Sequence, residues 1–418
     1  MSKIAIIGSG INGMVAAHGL LAQGHKVSVY SALRPQDWLD KVPPSGTAAR
    51  YPSALDIERE LNLNHWEEVT PKIDGAHFTY CKQPGEQPMS LTGRVSCKIM
   101  AIDTRLQSYQ WMHDFENRGG KIEIEEIDVK KLDEIANEND LTLVTTGKGG
   151  LSSLFERDEA RSKYKTPQRQ ITMITVKNLT MQREGIPFKN SSLVANFFTL
   201  IGEKFDIPYW HKDGFQCWNL LFEAKEGREF DKFRNCKSGE EVVNIAKTLF
   251  KELMPWDYEW FKNAELADNN GWLSGNVTQC VKNPVSFLSS GKPVMALGDT
   301  AVALDPVGGQ GANNGYRQIR TLLKAVKLQG DQPFTAEWMC KTFDEYYETI
   351  GKVSIDIANN FIDGSFQAGI EQLLSKYGSN GKPGNEEMNQ NIVNLFVDGF
   401  DNPNLLANYL KGFKNGAL

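Results

Sequence analysis

The stretch KIAIIGSGINGMVAAHGLLAQGHKVSVYS, residues 3–31, decides the fold of this chain. A short apolar run leads into glycines at 8, 10 and 13, followed by a helix-like segment ending at Gly24 and a second apolar run. Strand, G-x-G-x-x-G, helix and strand within about 30 residues is typical of a dinucleotide-binding β-α-β unit. Gly8 permits the tight turn, Gly10 lets a pyrophosphate approach the backbone, and Gly13 lets the helix pack on the strand. The free N–H groups of the helix then face the anion. The predicted cofactor-binding residues here are Gly8, Gly10, Ile11, Asn12 and Gly13.

The end of the second predicted strand leaves the dinucleotide open. An acidic residue usually holds the ribose at this point, but the chain reads Tyr30-Ser31-Ala32-Leu33-Arg34, with no acid before Asp37. Arg34 could bind a 2′-phosphate, which would make this an NADP site. Alternatively, Ser31 and Arg34 serve the adenosine end of FAD.

A second stretch, GDTAVALDPVGGQGANNG at residues 298–315, favours FAD. It follows an apolar run that reads as a buried strand, so Asp299 is placed to accept hydrogen bonds from ribityl hydroxyls. Pro306 bends the chain, and the following glycines bring backbone N–H groups close to a flat ring. The helix that begins near Ala312 would turn its positive end toward the flavin. The predicted cofactor-binding residues of this stretch are Gly298, Asp299, Pro306, Gly311, Ala312 and Asn313. The predicted catalytic loop residues are Pro306, Gly308, Gln310, Gly311 and Asn313.

Bulk properties exclude several other classes of protein. The chain has 418 residues, which predicts two or three structural units. Its net charge of −6 gives no basic footprint for nucleic acid. Its six cysteines form no CxxC pair, so we expect neither a disulfide framework nor a metal site. Glycines interrupt the apolar N-terminus, so we expect no membrane span or signal peptide, and a cytoplasmic protein.

The two glycine motifs together resemble those of flavoprotein monooxygenases with the para-hydroxybenzoate hydroxylase fold. Within that group, the chain resembles the oxygenase component of styrene and indole monooxygenases. TGKGGLSSLF and PVGGQGAN are the stretches most specific to this branch. The supporting stretches follow the family order over about residues 1–330, and lie at 29–35, 102–122, 141–155, 164–170 and 272–285.

This resemblance implies an α/β fold: a Rossmann-like FAD-binding domain with a β-sheet substrate domain and C-terminal helices. The predicted FAD-binding domain is discontinuous, comprising residues 1–67, 99–160 and 286–330. The predicted substrate-binding domain comprises residues 68–98 and 161–285. Residues 331–418 read as helical, with one Gly/Asn/Pro loop at 378–385. The resemblance also places Arg105, Thr146 and Gly147 at the cofactor.

The implied activity is that of a two-component monooxygenase. A separate NAD(P)H:flavin reductase would deliver FADH2, and the chain would use O2 to epoxidise or hydroxylate a small hydrophobic aromatic substrate of styrene or indole type. The loop at residues 40–55 departs from the family pattern, so the exact substrate stays open, as does a homodimer. Aromatic candidates for the substrate pocket, each more often plain core, are Phe205, Tyr209, Trp210, Phe215, Trp218 and Phe222.

Three alternatives are weighed against this activity. One is a single-component NAD(P)H-dependent FAD aromatic hydroxylase, since that fold can use NADPH without a second G-x-G-x-x-G motif. Another is a non-catalytic FAD-binding redox protein. A flavin halogenase is disfavoured because the WxWxIP signature is missing.

Overall fold

The predicted N-terminal strand lies inside a six-stranded sheet in the computed structural model, which describes residues 1–86, 89–377 and 386–414. β1 (Lys3–Ile7) runs parallel to β2 (Lys26–Ser31) on one side and to β6 (Leu141–Val144) on the other. β5 (Lys121–Ile124) extends the sheet beyond β2, and β15 (Pro293–Ala296) extends it beyond β6. β14 (Val285–Phe287) is an antiparallel edge strand. Helices cover both faces of such a sheet, which explains why β1 is an almost unbroken apolar run.

Two long helices pack against each other beside this sheet. α1 (Ile11–Ala22) follows the first glycine motif, and α8 (Gly311–Gln329) follows the second. A Cβ atom on Gly19 would lie 2.5 Å from Leu323, so glycine permits the close approach of the two helices. Both helices therefore present their N-termini on the same side of the fold.

The second sheet has eight strands, mostly antiparallel. Its strands are β3 (Ile73–Cys81), β4 (Met89–Arg94), β7 (Gln170–Lys177), β8 (Ser191–Phe198), β9 (Gly202–Trp210), β10 (Gln216–Ala224), β11 (Glu265–Leu266) and β12 (Trp272–Asn276). The spatial order is β11-β7-β10-β9-β8-β3-β4, and β12 also pairs with β7. One face packs on α6 (Gly239–Leu253), whose N-cap Ser238 accepts a hydrogen bond from the Glu241 N–H.

The C-terminal helices cover the other face of this sheet near β3 and β4. α9 (Ala336–Tyr346) continues through a π-helical turn, Tyr347–Gly351, into α10 (Lys352–Ile362). α11 (Ser365–Tyr377), α12 (Glu386–Asp401) and α13 (Pro403–Lys414) follow. The loop predicted at 378–385 lies outside the described residues.

The remaining helices and strands include both buried and surface elements. They are α2 (Pro35–Asp40), α3 (Pro52–Glu60), α4 (Thr104–Asn117), α5 (Val129–Glu138), α7 (Pro255–Phe261), β13 (Cys280–Val281) and β16 (Val302–Ala303). The predicted fold class is confirmed: parallel and antiparallel sheets combine with many helices. The exact domain boundaries stay a prediction. Across the described ranges, no helix combines the length and apolarity needed to cross a bilayer.

Candidate functional site

A cavity of about 910 Å³ connects the carboxyl ends of β1, β2 and β6 with the second sheet and the C-terminal helices. Parallel strands end at the same edge of a sheet, and ligands of open α/β sheets bind outside that edge. The polar part of the cavity is lined by residues 8–13, 30–33, 125–127 and 145–151, and by Asp299. The cavity therefore begins where the first motif predicts a cofactor.

The glycines of the first motif have separate structural roles. A Cβ atom on Gly13 would lie 2.1 Å from the Gly8 carbonyl oxygen, so only glycine lets α1 start this close to β1. Gly8 has φ of +116°, and a Cβ there would lie 2.7 Å from the Thr145 carbonyl oxygen. At Gly10, by contrast, the nearest atom would be on Trp38 at 4.0 Å. Gly10 therefore borders open space, which leaves room for a ligand to approach the backbone.

Two polar side-chain atoms on this wall have no hydrogen-bond partner among the described residues. They are Asn12 Oδ1 and Thr146 Oγ1, and both are shielded from solvent. Burying an unpaired polar atom costs free energy. Both residues line the cavity, so a ligand rich in hydroxyl and amide groups would fit these atoms.

The end of the cavity beside β2 contains acids that the sequence motif did not supply. Glu125 and Glu126, which follow β5, both line the cavity. The Glu125 N–H donates to the Ser31 carbonyl oxygen at 2.9 Å, which places these acids beside the end of β2. Ser31 also lines the cavity, but its hydroxyl lies 2.6 Å from that of Ser9. Arg34 is exposed and does not line the cavity.

The second motif forms the opposite wall. Gly298 has φ of +65°, and a Cβ there would lie 2.7 Å from Asn12, so the two motifs are in contact. Asp299 and Thr146 line the cavity at the ends of neighbouring strands, as does Gly147. Burial raises the pKa of Asp299. Pro306, Gly311 and Ala312 also line the cavity.

Three predicted residues of the second motif stand behind the wall and support it. Gly308 packs against Ala358 and is buried. The Asn313 amide donates to the Ala49 carbonyl oxygen at 2.8 Å and accepts from the Tyr51 N–H at 3.2 Å. Gln310 is fully buried, and its amide is bound to Arg317 and Phe400. The loop of residues 45–49, which these contacts hold, lines the cavity together with Tyr51.

Arg105 lies in a buried ion-pair network and does not line the cavity. Its guanidinium is fully buried and binds Asp103 and Asp268, with N–O distances of 2.7 and 2.8 Å. His211 Nε2–H donates to Asp268 Oδ2 at 2.8 Å, because Nδ1 accepts from the Asp213 N–H. Neighbouring cations and hydrogen bonds outweigh burial and lower the pKa of Asp268. The Arg105 guanidinium and the carboxylates of Asp103 and Asp268 thus neutralise one another within the protein.

The far part of the cavity is an apolar chamber. The sheet contributes Phe78, Leu193, Ala195, Phe197, Phe205, Ile207 and Leu221. The C-terminal helices contribute Phe361, Phe366, Phe396, Val397 and Phe400. Of the six aromatic candidates only Phe205 lines the chamber. Trp218 and Phe222 face α6, on the other side of the sheet, and Tyr209 is buried with Ala101 and Cys217.

Sequence reasoning missed the helical wall because its residues lie far from both glycine motifs. The available signal was the apolar periodicity of residues 392–400, where Ile392, Val393, Phe396, Val397 and Phe400 recur at helical spacing. That pattern identifies a buried helical face but not what the face covers. Among the described residues, no group of three or more His, Cys, Asp or Glu side chains is placed to hold a metal ion.

Comparison with solved structures defines the class of fold. The flavin-dependent brominase Bmp2 matches over 99% of both chains with a TM-score of 0.65 and 14% identity. PqsL of Pseudomonas aeruginosa, described as a probable FAD-dependent monooxygenase, matches 89% of this chain and 99% of its own with a TM-score of 0.58 and 14% identity. At this level of identity the likeness shows the fold alone: that of the FAD-dependent monooxygenases and halogenases.

Sequence comparison gives the nearer relationship. Residues 147–260 match the family model described as "Styrene monooxygenase A putative substrate binding domain". Styrene monooxygenase StyA of Pseudomonas fluorescens is 27% identical over 317 residues, 74% of each chain, and StyA of a Pseudomonas species is 27% identical over 319 residues, also 74% of each. The chain is a styrene monooxygenase-like, FAD-dependent monooxygenase.

Proposed function

We propose that this chain is the oxygenase component of a two-component flavoprotein monooxygenase. It would take FAD in its reduced form, FADH2, together with O2, and epoxidise or hydroxylate a small apolar aromatic or alkene substrate of styrene or indole type. One observation carries the proposal: a single cavity leads from the dinucleotide-binding glycines, past the second glycine loop, into a chamber lined by aromatic side chains.

Several residues of the polar wall support FAD as the cofactor. The N-terminus of α1 offers unpaired N–H groups to a pyrophosphate beside the open space at Gly10. Glu125 and Glu126 offer carboxylates at the adenosine end, in place of the missing acid after β2. Asp299 lies at the second strand end, where a ribityl hydroxyl could donate to it. The N-terminus of α8 supplies a positive dipole end that would stabilise negative charge on the reduced ring.

The cofactor supplies the oxygen chemistry, because a reduced flavin activates O2 and delivers one of its oxygen atoms to the substrate. The protein must orient the substrate and exclude water. Pro306, Gly311 and Ala312 lie where the polar wall meets the chamber, so they would bound the reacting centre. Epoxidation of an alkene needs no general base, in keeping with an apolar chamber.

The chamber supports an apolar aromatic substrate. Phe78 and Phe396 lie 5.1 Å apart between ring centroids, and Phe366 and Phe396 lie 5.2 Å apart, across sheet and helices. Aromatic rings favour tilted and edge-on contacts with other rings. The relatives named styrene monooxygenase point to the same substrate class.

The proposed test supplies the purified protein with chemically reduced FAD, air and a panel containing styrene and indole. We expect an epoxide from styrene or blue pigment from indole, formed without NAD(P)H. A parallel sample receives FAD and NADPH without a reductase. Rapid bleaching of the flavin there would favour a single-component hydroxylase and contradict the two-component proposal. Flavin binding without any oxygenated product from the panel would favour a non-catalytic redox protein.

A further inference from the structure

A partly buried arginine joins the last turn of α12 to the second glycine loop. Arg317 Nη1 donates to Gln310 Oε1 at 2.7 Å, and its Nη2 donates to the carbonyl oxygens of Phe400 and Asp401, both at 2.9 Å. The Gln310 amide also donates to the Phe400 carbonyl at 3.3 Å. Arg317 and Gln310 therefore form one clamp around the end of α12.

The chemistry of this clamp suits a helix C-terminus. The last carbonyls of a helix have no internal partners and carry partial negative charge, so a cation there is favourable. The planar guanidinium reaches three acceptors at once, which a lysine cannot do with the same geometry. Burial lowers the pKa of Arg317 to about 10, so it stays cationic near neutral pH. The side chain of Asp401 is used elsewhere, accepting from the Ser53 N–H at 2.8 Å.

The clamp fixes the aromatic ring of Phe400 at a junction. Phe400 lines the cavity, and its ring stacks on Tyr51 with a centroid distance of 5.7 Å and an interplanar angle of 28°. A Cβ atom on Gly309 would lie 3.8 Å from that ring, so the ring covers the second glycine loop. The loop, residues 45–51 and the apolar chamber thus meet at Phe400.

We propose that Phe400 is the wall residue that closes the apolar chamber over the second glycine loop, and that Arg317 and Gln310 are the residues that position Phe400. This inference rests on the proposed function. A loosened wall would admit water, and the two electrons of the reduced flavin would then reduce O2, with two protons, to H2O2 instead of oxygenating substrate. The contacts of Arg317 and Gln310 would therefore set the fraction of reduced flavin that yields oxygenated product instead of H2O2.

The variants that test this are Arg317→Met, Arg317→Lys, Phe400→Ala and Phe400→Leu, with Arg320→Met as a matched control. Arg320 lies on the same helix but is exposed. Two quantities are measured. One is the Stern–Volmer constant for quenching of the fluorescence of bound FAD by iodide, and the other is the number of H2O2 molecules formed per molecule of oxygenated product. The temperature of each assay stays well below the melting temperature of each variant.

We expect R317M and F400A to raise both the iodide quenching constant and the H2O2-to-product ratio several-fold. For both quantities, R317K should lie between R317M and wild type, and R320M should match wild type. F400L keeps most of the apolar volume, so it should retain the wild-type melting temperature and still raise iodide quenching. The inference is overturned if iodide quenches the fluorescence of bound FAD no more in F400L and R317M than in R320M. Iodide quenching requires bound FAD but no turnover, so failure of styrene and indole to react would count against the proposed function alone.

Discussion

At the scale of single residues, Gly10 and Gly13 serve different purposes although they lie in one motif. A methyl group on Gly13 would collide with the Gly8 carbonyl, a backbone atom that cannot turn away. A methyl group on Gly10 would enter open space at the cavity wall. We therefore propose that Gly10 is needed for the approach of the cofactor, whereas Gly13 is needed by the fold.

Alanine at the two positions should separate these roles. We expect Gly13→Ala to lower the free energy of unfolding of the apoprotein by about 1–3 kcal/mol or more through overpacking. Gly10→Ala should leave apoprotein stability near wild type and weaken FAD binding. Urea unfolding and FAD titration measure the two quantities. Equal loss of stability in both variants would contradict this division.

The adenosine end gives a prediction for Glu126. Glu125 Oε2 lies 3.9 Å from Lys131 Nζ, so we assign the ribose contact to Glu126. Glu126→Gln should weaken FAD binding by roughly 1 kcal/mol, about fivefold, because it removes a charged acceptor. FMN lacks the adenosine ribose, so its binding should not change, and Glu125→Gln should have the smaller effect. Equal affinities of E126Q and wild type for FAD would exclude the contact.

A buried carboxyl within the second motif, that of Asp305, predicts a pH dependence of stability. Burial raises the pKa of Asp305 from 3.8 to about 6; the nearby Glu203 also raises it, while the Val307 N–H and Arg169 oppose. A raised folded-state pKa means that the folded protein holds the proton longer than the unfolded chain does. The contribution of Asp305 to the free energy of unfolding is therefore fully present below the pKa of the unfolded chain. It is lost as the pH rises through the folded-state pKa of about 6.

Asp305→Asn should remove this dependence while keeping an oxygen that can accept from the Val307 N–H. Urea unfolding of wild type and D305N is compared between about pH 4 and about pH 7. The wild type should lose stability relative to the variant across that range. A difference that stays constant would show that folding does not shift the pKa of Asp305, and one that grows in the opposite direction would show that folding lowers it.

At the scale of elements, the position of α12 depends on a glycine in the strand beneath it. A Cβ atom on Gly93 of β4 would lie 2.9 Å from the side chain of Val393 and 3.3 Å from the Gln390 Cα. α12 carries Phe396 and Phe400 over the chamber. The approach of strand and helix therefore sets the depth of the chamber.

Gly93→Ala should push α12 away from β4, lower stability by about 1–3 kcal/mol, and weaken binding of an apolar aromatic ligand. Val393→Ala should restore part of both losses when combined with G93A, because it vacates the space that the new methyl group needs. A double-mutant cycle measures the coupling between the two sites. Purely additive effects would mean that the two residues do not share this contact.

The sequence predicted the elements whose signal is local. Gly8, Gly10 and Gly13 have fixed spacing between a strand and a helix, and Asp299 and Pro306 follow a recognisable strand, so both walls of the polar cavity could be anticipated. Glu126 could not, because sheet order, not sequence distance, brings the end of β5 beside Ser31. Phe400 was missed for the same kind of reason: its contacts are with residues more than eighty positions away.

Arg105 is a predicted cofactor residue whose charge the structure pairs within the protein, away from the cavity. An arginine at the start of a helix fitted a cofactor contact by resemblance, yet the structure surrounds it with Asp103 and Asp268. The partner Asp268 lies 163 positions away and carries no motif. A single sequence shows the charged residue but not the residue that neutralises it.

At the scale of the whole molecule, three parts of the chain build one cavity. The first sheet supplies the strand ends that carry the glycine motifs, the second sheet supplies one apolar wall, and the C-terminal helices supply the other. The two glycine motifs touch through Asn12 and Gly298, although they lie nearly three hundred positions apart. The proposed function therefore requires one extended cofactor to lie along both motifs.

A crystal structure of the protein with FAD tests this requirement most directly. The proposed function predicts the pyrophosphate at residues 8–13, the adenosine ribose beside Glu126, and the flavin ring between residues 306–312 and the ring of Phe400. A flavin ring bound away from residues 306–312, or a cavity that remains empty at saturating FAD, would contradict it.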